Sequence, residues 1–265
     1  MNVVEVENFS FSYFGSKKCA VNDVSFTVNK GEFVIITGPS MSGKTTLVYG
    51  LSGIIPHLID GEFKGSINIF GKDTKDVGTK QILKRVGVVL QNPETQLFGM
   101  SVEEELRFTM ENFGLEESYI QRKVEELLTL FELREYRNKN PMSLSGGQKQ
   151  KLAIASMISV DPDILILDEP FSNLDFKSKE RILRILKMLK ARGKTIIMVE
   201  RSFYDFSELA DKIVVLKNSK LLGVFSPNEF FDDERILKES RVFLPVHLFV
   251  KEPYSSKVGR WIKRL

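Results

Sequence analysis

The chain has 265 residues, of which 42% are hydrophobic and 28% charged, with a formal net charge of +3. That length allows one large or two modest domains with a sizeable core, and the composition is that of an ordinary soluble globular protein. The charge is too small to argue for nucleic acid as a partner. The single cysteine, Cys19, cannot close an internal disulfide, which points to a reducing compartment. The opening MNVVEVENFS lacks a basic start followed by an apolar core, so no signal peptide is expected. No apolar run approaches the roughly 18 residues of a membrane span. Action at a membrane would need a partner that crosses it.

Residues 2–9 and 21–28 alternate apolar and polar positions, as half-buried antiparallel strands do. Between them lies FSYFGSKK, whose Tyr13 is either a platform for a nucleotide base or a turn aromatic packed on the core. Asn29–Glu32 is a turn leading into Phe33–Thr37, a short β-branched run that predicts a buried strand. The strand feeds Gly38-Pro39-Ser40-Met41-Ser42-Gly43-Lys44-Thr45, which fits G-x-x-x-x-G-K-[ST], the phosphate-binding loop. Such a loop wraps a polyphosphate with inward-pointing backbone N–H groups, and Gly38 and Gly43 permit conformations and close approach that a Cβ would obstruct. Lys44 would reach the β- and γ-phosphates, and the Thr45 hydroxyl would bind Mg²⁺. The helix beginning near Lys44 aims its positive end at the same anion.

That helix is expected to end at Gly53, followed by a loop over 54–65, in which His57 reads as an incidental surface residue, and a strand over 65–71. Val86–Leu90 is a fully apolar strand with Gln91 at its tip, either a ligand contact or a solvated loop residue. Residues 92–102 are loop-like. Leu97, Phe98 and Met100 there are expected to be partly exposed, as a lid or a docking surface. Residues 103–113 and 116–136 are helical, with Val124, Leu127, Leu128 and Phe131 at helical spacing, and suggest a small helical subdomain inserted in an α/β core. After Asn140-Pro141 the chain reads MSLSGGQKQKLAIASMI. Ser145 is a good N-cap and Gly146 and Gly147 expose N–H groups, so this is a second helix start built to receive an anion. Ile164–Leu167 is a buried strand ending in Asp168-Glu169-Pro170: an aspartate suited to Mg²⁺ and a glutamate suited to orienting or activating water, or else a carboxylate pair capping the next loop. A turn at 172–175, a charged helix over 177–192, a strand over 195–199 and a hairpin at 213–225 follow. The last stretch, 241–265, is basic and contains Trp261; a surface helix, an interaction arm and a membrane-adjacent segment all fit it.

The combination resembles the nucleotide-binding subunits of ABC transporters. The matching pieces are Tyr13 (the A-loop aromatic), GPSMSGKTT at 38–46 (Walker A), Gln91 (Q-loop), LSGGQ at 144–148 (signature), ILILDEP at 164–170 (Walker B) and SNLD at 172–175 (D-loop). Residues 91–106 look further like the ATPase subunits of energy-coupling-factor transporters, importers of vitamins or metal ions. The resemblance implies the ABC ATPase fold: an α/β P-loop NTPase core with an antiparallel β subdomain and an inserted α-helical subdomain at about 92–160. It covers residues 1 to about 230, leaving 231–265 as an extension that would help hold an ATPase pair together. It implies ATP and Mg²⁺ as the bound species. Tyr13, Gly38, Pro39, Ser40, Ser42, Gly43, Lys44, Thr45 and Thr46 would hold the nucleotide; Thr45, Gln91 and Asp168 would serve the metal; Glu169 would handle the attacking water. Two ATPase subunits would pack head to tail, so that Ser145, Gly146, Gly147 and Gln148 serve a γ-phosphate bound on the partner. An integral membrane coupling subunit would be received near Leu97, Phe98 and Met100, with a substrate-binding membrane subunit an indirect partner, placing the chain on the cytoplasmic face of the membrane.

The chain departs from the family at one position. Members usually carry a histidine after the strand that here reads TIIMVE, and this chain has Arg201. An arginine donates to a phosphate but stays charged and has no acceptor nitrogen. The site built on this Walker A is therefore expected to hydrolyse ATP slowly or to be tuned differently, which favours a different chain as the second ATPase. A soluble ABC ATPase that moves no substrate, such as a cofactor-assembly factor, is the competing expectation. A small-molecule kinase would share the phosphate loop but has no use for LSGGQ.

Overall fold

The computed structural model describes residues 1–172 and 174–242. They form two compact units, one of residues 1–82 with 197–242, the other of residues 83–196.

The first unit opens with β1 (Asn2–Tyr13) and β2 (Val21–Asn29), paired antiparallel with Val6 opposite Phe26. Their apolar positions alternate inward, burying Val4, Val6, Phe9, Phe11, Val24 and Val28. β3 (Phe33–Thr37) is buried throughout and delivers the chain to the phosphate loop. α1 (Lys44–Leu51) follows, then a short α2 (Ile54–His57) where a loop was expected. β4 (Gly61–Ile69) starts four residues earlier than its alternation suggests, because the far half of the long β1 gives it a partner, Tyr13 opposite Gly61. Its polar residues there are largely exposed, so periodicity alone does not mark them as a strand. The two-residue β5 (Lys72–Asp73) completes an antiparallel sheet in the order β2-β1-β4-β5. His57 donates from Nε2 to the carbonyls of Thr74 (2.7 Å) and Val77 (3.0 Å), so it fastens the chain between β5 and α3 (Thr79–Leu83).

In the second unit, β6 (Val86–Val89) runs parallel to a later strand, and Gln91 follows two residues beyond its end. A 3-10 turn at Pro93–Gln96 leads to α4 (Val102–Asn112), N-capped by Ser101. α5 (Glu117–Leu130) stops short of the expected 136, because Glu132 takes a left-handed conformation (φ 58°) that no helix continues through. Val124, Leu127, Leu128 and Phe131 are all buried, as their spacing predicts. α6 (Gly146–Ile158) carries the signature at its start, β7 (Ile164–Asp168) is the strand parallel to β6, and α7 (Phe176–Ala191) is capped by Asp175. Thr195, at the start of β8 (Thr195–Val199), donates to the Asp163 carbonyl.

The chain returns to the first unit within β8. There the Glu200 amide donates to the Ile36 carbonyl at the end of β3. β9 (Lys212–Lys217) lies parallel to β3, Ile36 opposite Val214, and β10 (Lys220–Phe225) closes an antiparallel hairpin on it. α8 (Pro227–Asp232) and α9 (Glu234–Ser240) end the described chain, with Phe203, Phe230 and Phe231 packed together at ring distances of 5.1–5.8 Å. Trp261 and His247 lie outside the described residues. Among those described, no helix is long and apolar enough to cross a membrane.

Candidate functional site

Each unit carries one set of functional groups. In the first, β3 ends at Gly38, whose φ of +142° already suits only glycine, and a Cβ there would stand 2.0 Å from the Leu216 carbonyl oxygen of β9. Gly43 is left-handed (φ +98°), and its Cβ would meet the Ala20 carbonyl oxygen at 2.4 Å. Both obstacles are backbone, which a substitution cannot push aside. Gly43 is also the N-cap of α1 and adds no side-chain oxygen to the first turn of the helix. The Ser42 hydroxyl is buried in the loop with no partner among the described residues. These are the features of a cradle for an anion with several oxygens.

Lys44 is buried, with Nζ donating to the carbonyls of Gly38 (2.9 Å) and Pro39 (2.8 Å). The ammonium thus sits inside the ring of the loop, where phosphate oxygens would take over those bonds. Thr46, in the first turn of α1, shares a 2.9 Å hydrogen bond with the Tyr13 hydroxyl, and the Tyr13 ring meets Phe11 edge-on at 5.2 Å. Tyr13 therefore packs on a core aromatic and reaches the loop helix at once. Arg201 Nη1 donates to the Ser40 hydroxyl at 3.2 Å, which brings a permanent positive charge onto the loop. The Thr45 hydroxyl lies in the same first turn of α1.

In the second unit, Asp168 ends β7 almost fully buried, and Glu169 follows with a left-handed backbone, φ 46°. Gln91 Nε2 donates to Glu169 Oε2 at 3.1 Å, joining the tips of the parallel strands β6 and β7. Ser145 caps α6 by accepting from the Gln148 amide (3.3 Å), and Gln148 Oε1 accepts from the Ser145 amide (2.9 Å). The cap uses only an acceptor site of the Ser145 hydroxyl, whose proton stays available to a phosphate oxygen. Gly146 is exposed and Gly147 half-buried at this helix start. Asn173 lies outside the described residues.

The expected exposure of residues 97–100 needs a correction. Phe98 and Met100 are 73% and 75% exposed, but Leu97 is only 3% exposed. Leu97 has an extended backbone (φ −101°, ψ 117°), so its side chain and that of Phe98 point to opposite sides. The buried Glu105 carboxylate fixes the bend by accepting from the amides of Phe98 (2.7 Å) and Gly99 (2.8 Å), while Glu104 accepts from that of Met100 (2.9 Å). Leu97 is core, and the exposed apolar pair is Phe98 with Met100. Sequence reading passes over Glu105 because it stands in an ordinary acidic first turn, and over the Lys149–Glu94 ion pair (2.6 Å) because lysine in a charged helix carries no signal of burial.

A glycine-bounded phosphate loop, a buried strand ending in Asp-Glu and an LSGGQ helix start define an ATP-hydrolysing cassette. The family model described as ABC transporter matches residues 21–172. A putative ABC transporter ATP-binding protein of Pyrococcus abyssi is 41% identical over 249 residues, covering 94% of this chain and 89% of that protein. Among solved structures, CbiO1 from Clostridium perfringens, described as part of the ABC transporter complex CbiONQ, is similar with a TM-score of 0.77 and 25% identity over 99% of both chains. A dimeric ATP-binding cassette in a post-hydrolysis state with ADP and phosphate gives a TM-score of 0.74 and 26% identity, over 84% of this chain and 98% of that one. The chain belongs to the ABC transporter ATP-binding family: it binds ATP, it is an ATPase, and it is the nucleotide-binding subunit of a transporter.

Proposed function

We propose that this ATPase powers an importer of the energy-coupling-factor type for vitamins or metal ions, as one half of a head-to-tail pair whose other half is a different chain. The observation that carries the reading is the likeness to CbiO1, a part of a transporter complex, over 99% of both chains. Residues 1–230 are the ATPase domain and 231–265 an extension that helps hold the pair.

In this reading Lys44 and the amides of the loop hold the β- and γ-phosphates, and Tyr13 meets the base. Thr45, Gln91 and Asp168 would hold a Mg²⁺, which when bound would neutralise charge developing on the phosphates. A hydroxyl, an amide and one carboxylate suit this ion, which takes few protein ligands and completes its shell with phosphate and water. Glu169 orients the attacking water and accepts its proton. Ser145, Gly146, Gly147 and Gln148 serve the γ-phosphate of the nucleotide held by the other ATPase. ATP closes the pair because its phosphates contact both halves, and hydrolysis releases them. Phe98 and Met100 meet an integral membrane subunit, which keeps this chain at the cytoplasmic face.

Affinity purification from the native membrane fraction, with mass spectrometry of what accompanies the chain, tests the proposal. The expected companions are a second LSGGQ-bearing ATPase and a polytopic membrane protein. Recovery of soluble proteins alone would sink the importer reading in favour of a cytosolic ABC ATPase.

A further inference from the structure

Lys149 directly follows the signature on α6, and although charged it is only 8% exposed. Its Nζ meets the Glu94 carboxylate at 2.6 Å, in the 3-10 turn Pro93–Gln96. That turn is fixed to the sheet: Gln96 accepts from the Leu90 amide (2.7 Å) and donates to the Val88 carbonyl of β6 (3.0 Å), and Asn92 accepts from the Glu94 amide (3.2 Å). Two residues beyond the turn stands the exposed Phe98, and Met100 follows on backbone pinned by Glu104 and Glu105. Upstream, Gln91 holds Glu169. One segment of ten residues thus carries, in order, a bond to the carboxylate assigned to water, an ion pair to the signature helix, and an apolar pair that faces outward.

We infer that the Glu94–Lys149 ion pair is a strut through which a partner seated on Phe98 and Met100 sets the position of Ser145 and Gly146. The inference rests on the proposed meeting of those two residues with a membrane subunit. Glu94 is more than half exposed, and an ion pair open to solvent adds little to stability. Lys149 is buried, so its ammonium holds α6 to the turn for as long as the carboxylate is there, and taking the carboxylate away leaves that charge uncompensated. The pair therefore links the two elements, and Glu94→Gln keeps an amide oxygen that accepts from the ammonium while removing the negative charge. Lys149 also donates its amide to the Ser145 carbonyl, so a displacement of its side chain acts within one turn of the residue that would touch phosphate. Glu94 and Lys149 are positioning residues, and neither touches the reacting atoms.

The test uses the complex purified from the native membrane, carrying Glu94→Gln, Lys149→Met, or the reversed pair Glu94→Lys with Lys149→Glu. Wild-type co-purification is scored first: if no membrane subunit accompanies the wild type, the underlying reading fails and the strut with it. Given an assembled complex, each single substitution is expected to lower kcat for ATP about tenfold with KM unchanged, and the reversed pair to recover at least half of the loss. If Lys149→Met does not fold, Glu94→Gln, a change at an exposed side chain, still decides the matter. Single variants with wild-type kcat, or a reversed pair in an intact complex that recovers nothing, would overturn the strut.

Discussion

Glu169 stands in a left-handed backbone conformation that a side chain adopts at an expense of roughly 1–3 kcal/mol. The strain places its carboxylate against the Gln91 amide and beside the end of β7, where a water-orienting group is wanted. Replacing it by Gln keeps the shape and the bond to Gln91 while removing the proposed base. Single-turnover assays of Glu169→Gln should show a rate lower by about 10²–10⁴-fold, with ATP binding retained; a drop below tenfold would remove Glu169 from the role of base. Arg201 belongs to the same scale. Its guanidinium already touches the phosphate loop through Ser40, so it can hold charge there but cannot accept a proton or a hydrogen bond. Arg201→His in the assembled complex is expected to raise turnover. A fall, or no change with Glu169 intact, would show that the arginine does not slow this site.

Between elements, the helices α4 and α5 are tied by ion pairs, Arg107 with Glu117 at 2.6 Å and a second set around Arg137. Arg137 grips the Glu103 carboxylate with two bonds (2.6 and 2.7 Å) and also contacts Glu125. The hydrogen bond from Arg137, aided by its charge, holds the Glu103 carboxyl below its ordinary value of 4.5. A carboxylate whose pKa is lowered by folding contributes stability that is present above the unfolded pKa and lost as pH falls through the folded one. At neutral pH, Glu103→Gln should therefore be less stable than the wild type by about 1 kcal/mol, the pair being partly open to solvent. Below about pH 4.5 the gap should begin to narrow, and it is lost as pH falls through the lower folded pKa. Urea unfolding at pH 7 and pH 3.5 measures it, and an undiminished gap in acid would mean that the ion pair is not its source. The caps on α6 and α7 follow the same local logic, with Ser145 and Asp175 each binding the amide three residues on.

For the whole chain, ligand binding and folding are linked, because the loop that wraps the phosphates exists only in the folded state. ATP at 100 times its dissociation constant should stabilise the protein by about 2.7 kcal/mol, seen as a rise of several degrees in the thermal midpoint of Glu169→Gln, which keeps the nucleotide intact. Adding Lys44→Ala should abolish most of that rise. A rise that survives Lys44→Ala would mean that ATP binds elsewhere than at Gly38–Thr46.

The residue order alone determines much of this protein, because the deciding physics is local. A strand, a glycine-bounded loop and a helix must be adjacent in the chain to make a phosphate cradle, so 33–51 is legible as written. The N-cap of α6 depends on residues three apart, and the buried strands β3, β6 and β7 announce themselves by unbroken apolar runs. Arg201, by contrast, is visible as a departure from a pattern, but only the fold sets it on Ser40, a residue 161 positions away. Leu97 and Phe98 are equally apolar neighbours, and what separates core from surface is the Glu105 carboxylate that bends the backbone between them. Lys149 reads as a solvated charge until Glu94 is brought to it from 55 residues upstream. Burial and charge pairing depend on what distant chain lies opposite each side chain, and that is decided only when the chain has folded.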